Sequence, residues 1–522
     1  RLHAFPAILD LRVFLRITDK ADPLPVVVHE VQVVFPGGVQ DFEKERPLGP
    51  TQFGAIASLD LVDQFLLGLF ARQVGQVADQ LGLQPEAALG MPADAHPRGD
   101  GGVGHVLFLL AGDAPTPGGL YYIKDTAAEE GIELSLLRET SWANIRDRLA
   151  VGHLQVAHML GPMPIAFNLG LAPLAARTAV PMALGLGGNA VTVSTDLWDA
   201  MAAQGARPDL LPGPAGAALR RVVERRATGG RPPLRFGVVH PHSGHNYELR
   251  YWLAAGKIHP GLYSPSDTSG QIKADVLLSV TPPPQMPATL EAGTIHGYCV
   301  GEPWNQAAVF KGIGVPVVTD FEIWKNNPEK VFGITKAFAE ANPKTTLAIT
   351  KALIRAAMWL DENDNANRMK AVEILSKPEY VGADAKVIAN SMTGTFEYEK
   401  GDKRAVPDFN VFFRHFANYP YYSDAVWYLT QMRRWGQIPE ARPDSWYVET
   451  AKKVYRPDVY AMAAKELIAE GKLKASDFPN FAKETGFKPP QKDFIDGVVY
   501  DGRKPNEYIN KLKIGLKGND KL

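Results

Sequence analysis

Between residues 103 and 300 of this 522-residue chain, short apolar runs of strand composition alternate with helical patterns, and that alternation restricts the possible fold most. Glu133–Leu137 is followed by Asn144–Val151, Ala190–Ser194 by Leu197–Gln204, Arg235–Val239 by His245–Ala255, and Ala274–Val280 by Gln285–Glu291. Strand and helix in strict turn predict parallel βαβ units, hence an α/β fold. After about Asp320 long helices take over: Thr345–Asp361 carries Ile349, Ala352, Leu353, Ala356 and Leu360 at helical spacing. Near the start, Ile8–Ile17 and Leu24–Phe35 predict strands, Leu59–Leu81 an amphipathic helix, and Met91–Gly102 a linker.

Composition narrows the function. Lys plus Arg number 56 against 57 for Asp plus Glu, a net charge of -1, which argues against nucleic acid or an anionic membrane as the main partner. A single cysteine, Cys299, excludes an internal disulfide framework and a Cys-rich metal cluster. No apolar run reaches the roughly 18 residues that a membrane helix needs. The chain begins with Arg1 and shows no charged-then-apolar leader, which fits a removed export signal, a fragment start or a cytosolic protein.

Few motifs carry chemistry. Gly185-Leu-Gly187-Gly188-Asn189-Ala190 fits a dinucleotide-binding spacing, but it leads into another strand rather than a helix. The glycines then serve a close backbone approach to a ligand, or a crossing between lobes. His240-Pro-His242-Ser-Gly-His245 could chelate a metal, with Glu248 the only close carboxylate. It also lies between a strand and a helix, where N–H groups at the helix start and His245 make a site for an anion or polar ligand. A histidine capping a helix in water is the plain alternative. Asp361-Glu-Asn-Asp364-Asn-Ala-Asn367 lacks the glycine and closing Glu of a calcium loop and reads as a solvated helix break. Ser141 can cap a helix that opens with Trp142, either core filling or a flat ligand platform. No activated nucleophile pattern such as G-x-S-x-G is present.

Taken together, SWANIRDRLAVG, VAHMLGPMPIA, GLGGNAVTVS, HSGHNYELRYWLAAG, PPPQM, GYCVGEPWNQ, WKNNPEKVFG, YPYYSDAVWYLTQMRRWGQI and FIDGVVYDGRKPNEYINKLKIGLKG resemble the nitrate- and bicarbonate-binding proteins of ABC uptake systems and their cytosolic nitrate-sensor relatives. The likeness covers roughly residues 103 to 520, in the family's order. It implies a two-lobed type II periplasmic-binding-protein fold with an unassigned N-terminal extension. Residues 1–102 form that extension, 103–190 the first part of lobe one, 191–302 lobe two, 303–440 the return part of lobe one, and 441–522 a C-terminal wrapping segment. The implied pocket uses Trp142, Asn189 (commonly Gln in the family), His245, the Val300-Gly301-Glu302 segment and Lys330, with no catalytic residue, metal or cofactor. Bicarbonate-binding members carry an acidic residue with calcium where Lys330 stands, so the resemblance favours nitrate or nitrite. The implied partner is an ABC permease, with the protein periplasmic or attached to the outer face of the cytoplasmic membrane through the transporter or a lipid anchor, and cytoplasmic as the alternative.

The chemistry of the residues agrees. Nitrate is a flat monoanion that accepts hydrogen bonds and donates none, so its site needs edge donors, a flat surface and one compensating cation. Lys330 supplies charge, His245 and Asn189 directional donors, and Trp142 an N–H or a face. Bicarbonate carries an O–H and benefits from an acceptor. Two departures from the family stand out. The opening strand of lobe one is replaced by FLLAGDAPTPGGLYYIKDTAAEEG, and residues 1 to about 100 match nothing in it. A cytosolic nitrate sensor, a bicarbonate-binding protein and a thiamine-pyrimidine synthesis enzyme are the rival readings. The C-terminal extension disfavours the first, Lys330 the second, and the single cysteine the third.

Overall fold

The computed structural model describes residues 12–15, 31–35, 38–40, 104–111, 125–139, 141–172, 176–207, 213–378 and 380–521. The chain divides into two compact units, residues 1–95 and 96–522. In the first, Arg12–Leu15, Val31–Phe35 and Gly38–Gln40 pair antiparallel, with Arg12 opposite Val34 and Phe35 opposite Gly38. Two of these strands fall inside the predicted ones. The helix expected over 59–81 and the linker over 91–102 lie outside the described residues.

Two five-stranded sheets form the second unit. The first has the order Ile132–Glu139, Gly104–Ala111, Val156–Leu160, Lys330–Thr335, Thr178–Ala183. The second has the order Leu277–Val280, Arg235–Val238, Gly297–Gly301, Asn189–Ser194, Gly314–Thr319. In each the first three strands are parallel and the fourth runs antiparallel to both its neighbours. Strict alternation alone predicted parallel units throughout. The exception arises because each fourth strand enters its sheet directly from the other lobe, from the opposite end.

The chain therefore crosses twice, after Ala183 and after Thr319. The crossings lie side by side: Gly187 N donates to Asn327 O at 3.0 Å and Leu184 N to Lys330 O at 2.9 Å. Glycine is required here. Gly187 sits at φ 71°, and a Cβ on it would stand 2.3 Å from the carbonyl oxygen of Phe409. The glycine motif thus serves a crossing. The return to lobe one, expected at 303, comes later: Gly314–Thr319 still pairs with Asn189–Ser194, so the stretch through Thr319 belongs to lobe two.

C-terminal residues brace the crossings. Trp324 stacks on Phe494 with centroids 4.8 Å apart, Ile495 N donates to Ile323 O at 2.9 Å, and Tyr428 Oη donates to Pro328 O at 2.8 Å. The same segment reaches lobe two, where Tyr251 Oη donates to Asp496 Oδ1 at 2.9 Å. The predicted break near Asp361 is present, since the helix Pro343–Asn365 loses helical geometry at Glu362–Asp364. Asp361 itself is not solvated. It is buried, pairs with Arg368 at 2.6 Å, and accepts from the backbone N–H groups of Phe412, Phe413 and Arg414 at 3.0, 2.7 and 3.0 Å.

Candidate functional site

The two crossings end at two of the polar residues expected to meet a ligand. Asn189 opens the fourth strand of the second sheet and Lys330 the fourth strand of the first. Two helix starts face the same region. Ser243 Oγ accepts from Asn246 N at 3.0 Å and caps the helix Gly244–Ala255, placing His245 in its first turn. Ser141 caps the helix Trp142–Ala150 by accepting from Asn144 N at 3.2 Å, so Trp142 is its first residue.

These groups converge on a residue outside the expected set, Glu329. Asn189 Nδ2 donates to Glu329 Oε1 at 2.9 Å, and Lys330 Nζ lies 2.8 Å from the same oxygen. His245 Nδ1 is 3.2 Å from it, without the alignment of a hydrogen bond. Lys330 Nζ also stands 5.8 Å over the ring of Trp142. Lys330 is 3% exposed, Glu329 2%, Asn189 1% and His245 0%. Trp142 meets His158 edge-on at 5.3 Å, and neither ring nitrogen of that histidine makes a hydrogen bond.

A second layer of acids holds the first. Asn189 Nδ2 also donates to Glu248 Oε2 at 3.0 Å, and the Asn189 backbone N–H donates to Asp320 Oδ2 at 3.0 Å. Asn327 Nδ2 links Glu248 Oε1 and Asp320 Oδ2 at 3.0 and 3.2 Å. So many carboxyls around one lysine would be costly if all were ionised. Burial, reinforced by Asp320 and Glu329, pushes Glu248 well above the usual carboxylate range, and burial raises Asp320 to about 7. The imidazoles of His245 and His158 are pushed well below their ordinary value by burial and then by Lys330, so both are neutral at pH 7.

Of the other expected residues, Gly301 sits opposite Asn189 and Val300 opposite Ala190 in the sheet, which brings their backbone to the same edge. The Glu302 carboxyl turns elsewhere. It accepts from Gln306 N at 3.2 Å, on the helix that follows, and burial raises it to about 8. His240 and His242 lie apart from the Glu329 cluster: His240 Nδ1 accepts from His242 N at 3.0 Å within its own turn.

Sequence reasoning missed Glu329, Asp320, Asn327 and His158. His158, alone within the buried strand Val156–Leu160, was a visible signal. Glu248 was noticed only as a neighbour of the histidines. It lies three residues after His245, close to the same helix face.

Comparison with known proteins defines the context. The NMT1-like family matches residues 120–376. The nitrate/nitrite binding protein NrtA of Nostoc sp. is 31% identical over 394 residues, which span 73% of this chain and 79% of that protein. The chain belongs to the NrtA family. The crystal structure of the periplasmic nitrate-binding protein NrtA from Synechocystis PCC 6803 shares the fold at a TM-score of 0.68 and 25% identity, over 79% of this chain and 99% of that one. This member therefore has the two-lobed periplasmic-binding-protein fold. The nitrate import ATP-binding protein NrtC of Synechocystis sp. is 35% identical over 396 residues, and the chain spans only about half (52%) of its length. The relatives' names describe nitrate or nitrite binding and nitrate import. Among the described residues no helix is long and apolar enough to cross a membrane.

Proposed function

We propose that this family member is a binding protein that captures nitrate or nitrite between its two lobes and delivers it to an ABC permease at the outer face of the cytoplasmic membrane. It acts by binding and release, without catalysis. The observation that carries this reading is the lysine: Lys330 Nζ is buried at the start of a crossing strand, over the face of Trp142. A buried ammonium over an indole, with an Asn amide and a neutral imidazole beside it, suits one small flat monoanion. Closure of the lobes would bring donors from both sides onto the anion and expel water. The family names and the NrtA structure support the same ligand. One observation favours bicarbonate as a second reading: Glu329 Oε1 and the Glu248 carboxyl offer acceptors that an O–H could use and nitrate could not. Calorimetric titration decides between them. Nitrate is expected to bind at one site, and Lys330→Glu to abolish it; calcium-dependent bicarbonate binding with no heat from nitrate overturns the assignment.

A further inference from the structure

A single carboxylate oxygen gathers the donors that an external anion would need. Glu329 Oε1 takes the Asn189 amide at 2.9 Å, the Lys330 ammonium at 2.8 Å and the close approach of His245 Nδ1 at 3.2 Å. The positive end of the helix Gly244–Ala255 faces it too. A Cβ on Gly244 would stand 3.2 Å from Glu248 Oε1, 3.3 Å from Glu329 Oε1 and 3.4 Å from its Cδ, so the absent side chain lets both carboxyls sit a few tenths of an ångström closer to the first turn. The other oxygen, Oε2, is buried and has no hydrogen-bond partner. A carboxylate and nitrate are both planar, singly charged and acceptor-only. A donor set that suits one suits the other, and two anions cannot share it without strong repulsion.

We propose that Glu329 is a tethered competitor, a specificity-determining side chain that holds the donors of the anion site until an incoming ligand exchanges with it. The proposal rests on the anion site described above and adds its control. Capture becomes an exchange: Lys330, Asn189 and His245 release one carboxylate and take one free anion. Glu329 also lines a small cavity of ≈10 Å³ with Gly187, Lys330, Asn410 and Phe412, about the size that one water needs. Anions that bind these donors weakly lose the exchange. A ligand with an O–H can instead keep Glu329 as its acceptor.

Removing the tether while keeping the donors tests this. In Glu329→Ala, formate, a free planar carboxylate, is expected to refill the position and raise the melting midpoint by several degrees at millimolar concentration. The same formate should leave the wild-type midpoint unchanged, and adding Lys330→Met to Glu329→Ala should remove the effect. Equal response of wild type and Glu329→Ala to formate overturns the proposal. Glu329→Gln carries the test where the alanine variant does not fold: nitrate affinity should rise at least about tenfold over wild type. Nitrate binding to wild type with no gain in Glu329→Gln overturns the tether and leaves the transport reading standing. Formate rescue with no nitrate binding in any variant upholds the tether and sinks the nitrate reading instead.

Discussion

Replacing Lys330 with methionine probes the site most directly, because methionine keeps the length and apolar stem while removing the charge. In the native protein the ammonium is 3% exposed and 2.8 Å from Glu329 Oε1, whose side chain is 1% exposed. Without the lysine, that carboxyl keeps the neutral Asn189 amide and the unaligned His245 ring around the same oxygen. Breaking a buried ion pair from one side costs roughly 3–5 kcal/mol, because the remaining charge is left uncompensated. A charge-assisted contact to a bound anion contributes about 1.5–3 kcal/mol, so nitrate affinity should fall roughly 10- to 150-fold. Urea unfolding followed by circular dichroism reads the first quantity, and calorimetry the second. The double variant Lys330→Met/Glu329→Gln should recover most of the lost stability, since it buries neither charge. If Lys330→Met unfolds within about 0.5 kcal/mol of wild type and binds nitrate unchanged, the pair is not a buried electrostatic centre and the reasoning fails.

Two further outcomes follow from the same geometry. The Glu302 carboxyl is raised from 4.5 to about 8 by burial, so the folded state holds a proton that the unfolded chain gives up. Its stabilisation is complete below the unfolded value and disappears as pH rises through about 8; wild type should lose about 1.4 kcal/mol from this group between pH 7 and 9. Urea midpoints of Glu302→Gln should fall less steeply over that range, and an identical slope would refute the assignment. Gly187→Ala places a Cβ against the Phe409 carbonyl at positive φ, and should destabilise by about 2 kcal/mol or more while shifting Asn189 enough to weaken anion binding. An unaltered thermal midpoint would show that the crossing adapts freely.

Much of the architecture was legible in the residues. The alternation of strands and helices appeared within a few residues of the predicted limits, as with Arg235–Val238 and Gly244–Ala255, because side-chain periodicity is local. The glycine motif before Asn189 could be read as a crossing for the same reason. Strand direction was less legible, since a fourth strand entering from another lobe has the same composition as one entering from a helix. Asp361 illustrates the limit: an acid at a helix break looks solvated until Arg368 and three backbone N–H groups close around it.

At the centre of the molecule, the chain by itself determined which donors exist: one lysine, one amide, one histidine at a helix start, and a tryptophan at another. The tertiary structure alone decided what those donors hold. Glu329 lies just before the strand that Lys330 opens, where no periodicity sets the direction of a side chain, so the adjacent pair gave no reason to expect a contact. Glu329 and Asn189 are 140 residues apart in sequence yet 2.9 Å apart in space. Charge pairing in a buried cleft depends on distances and desolvation set by both lobes at once, and no local pattern encodes them.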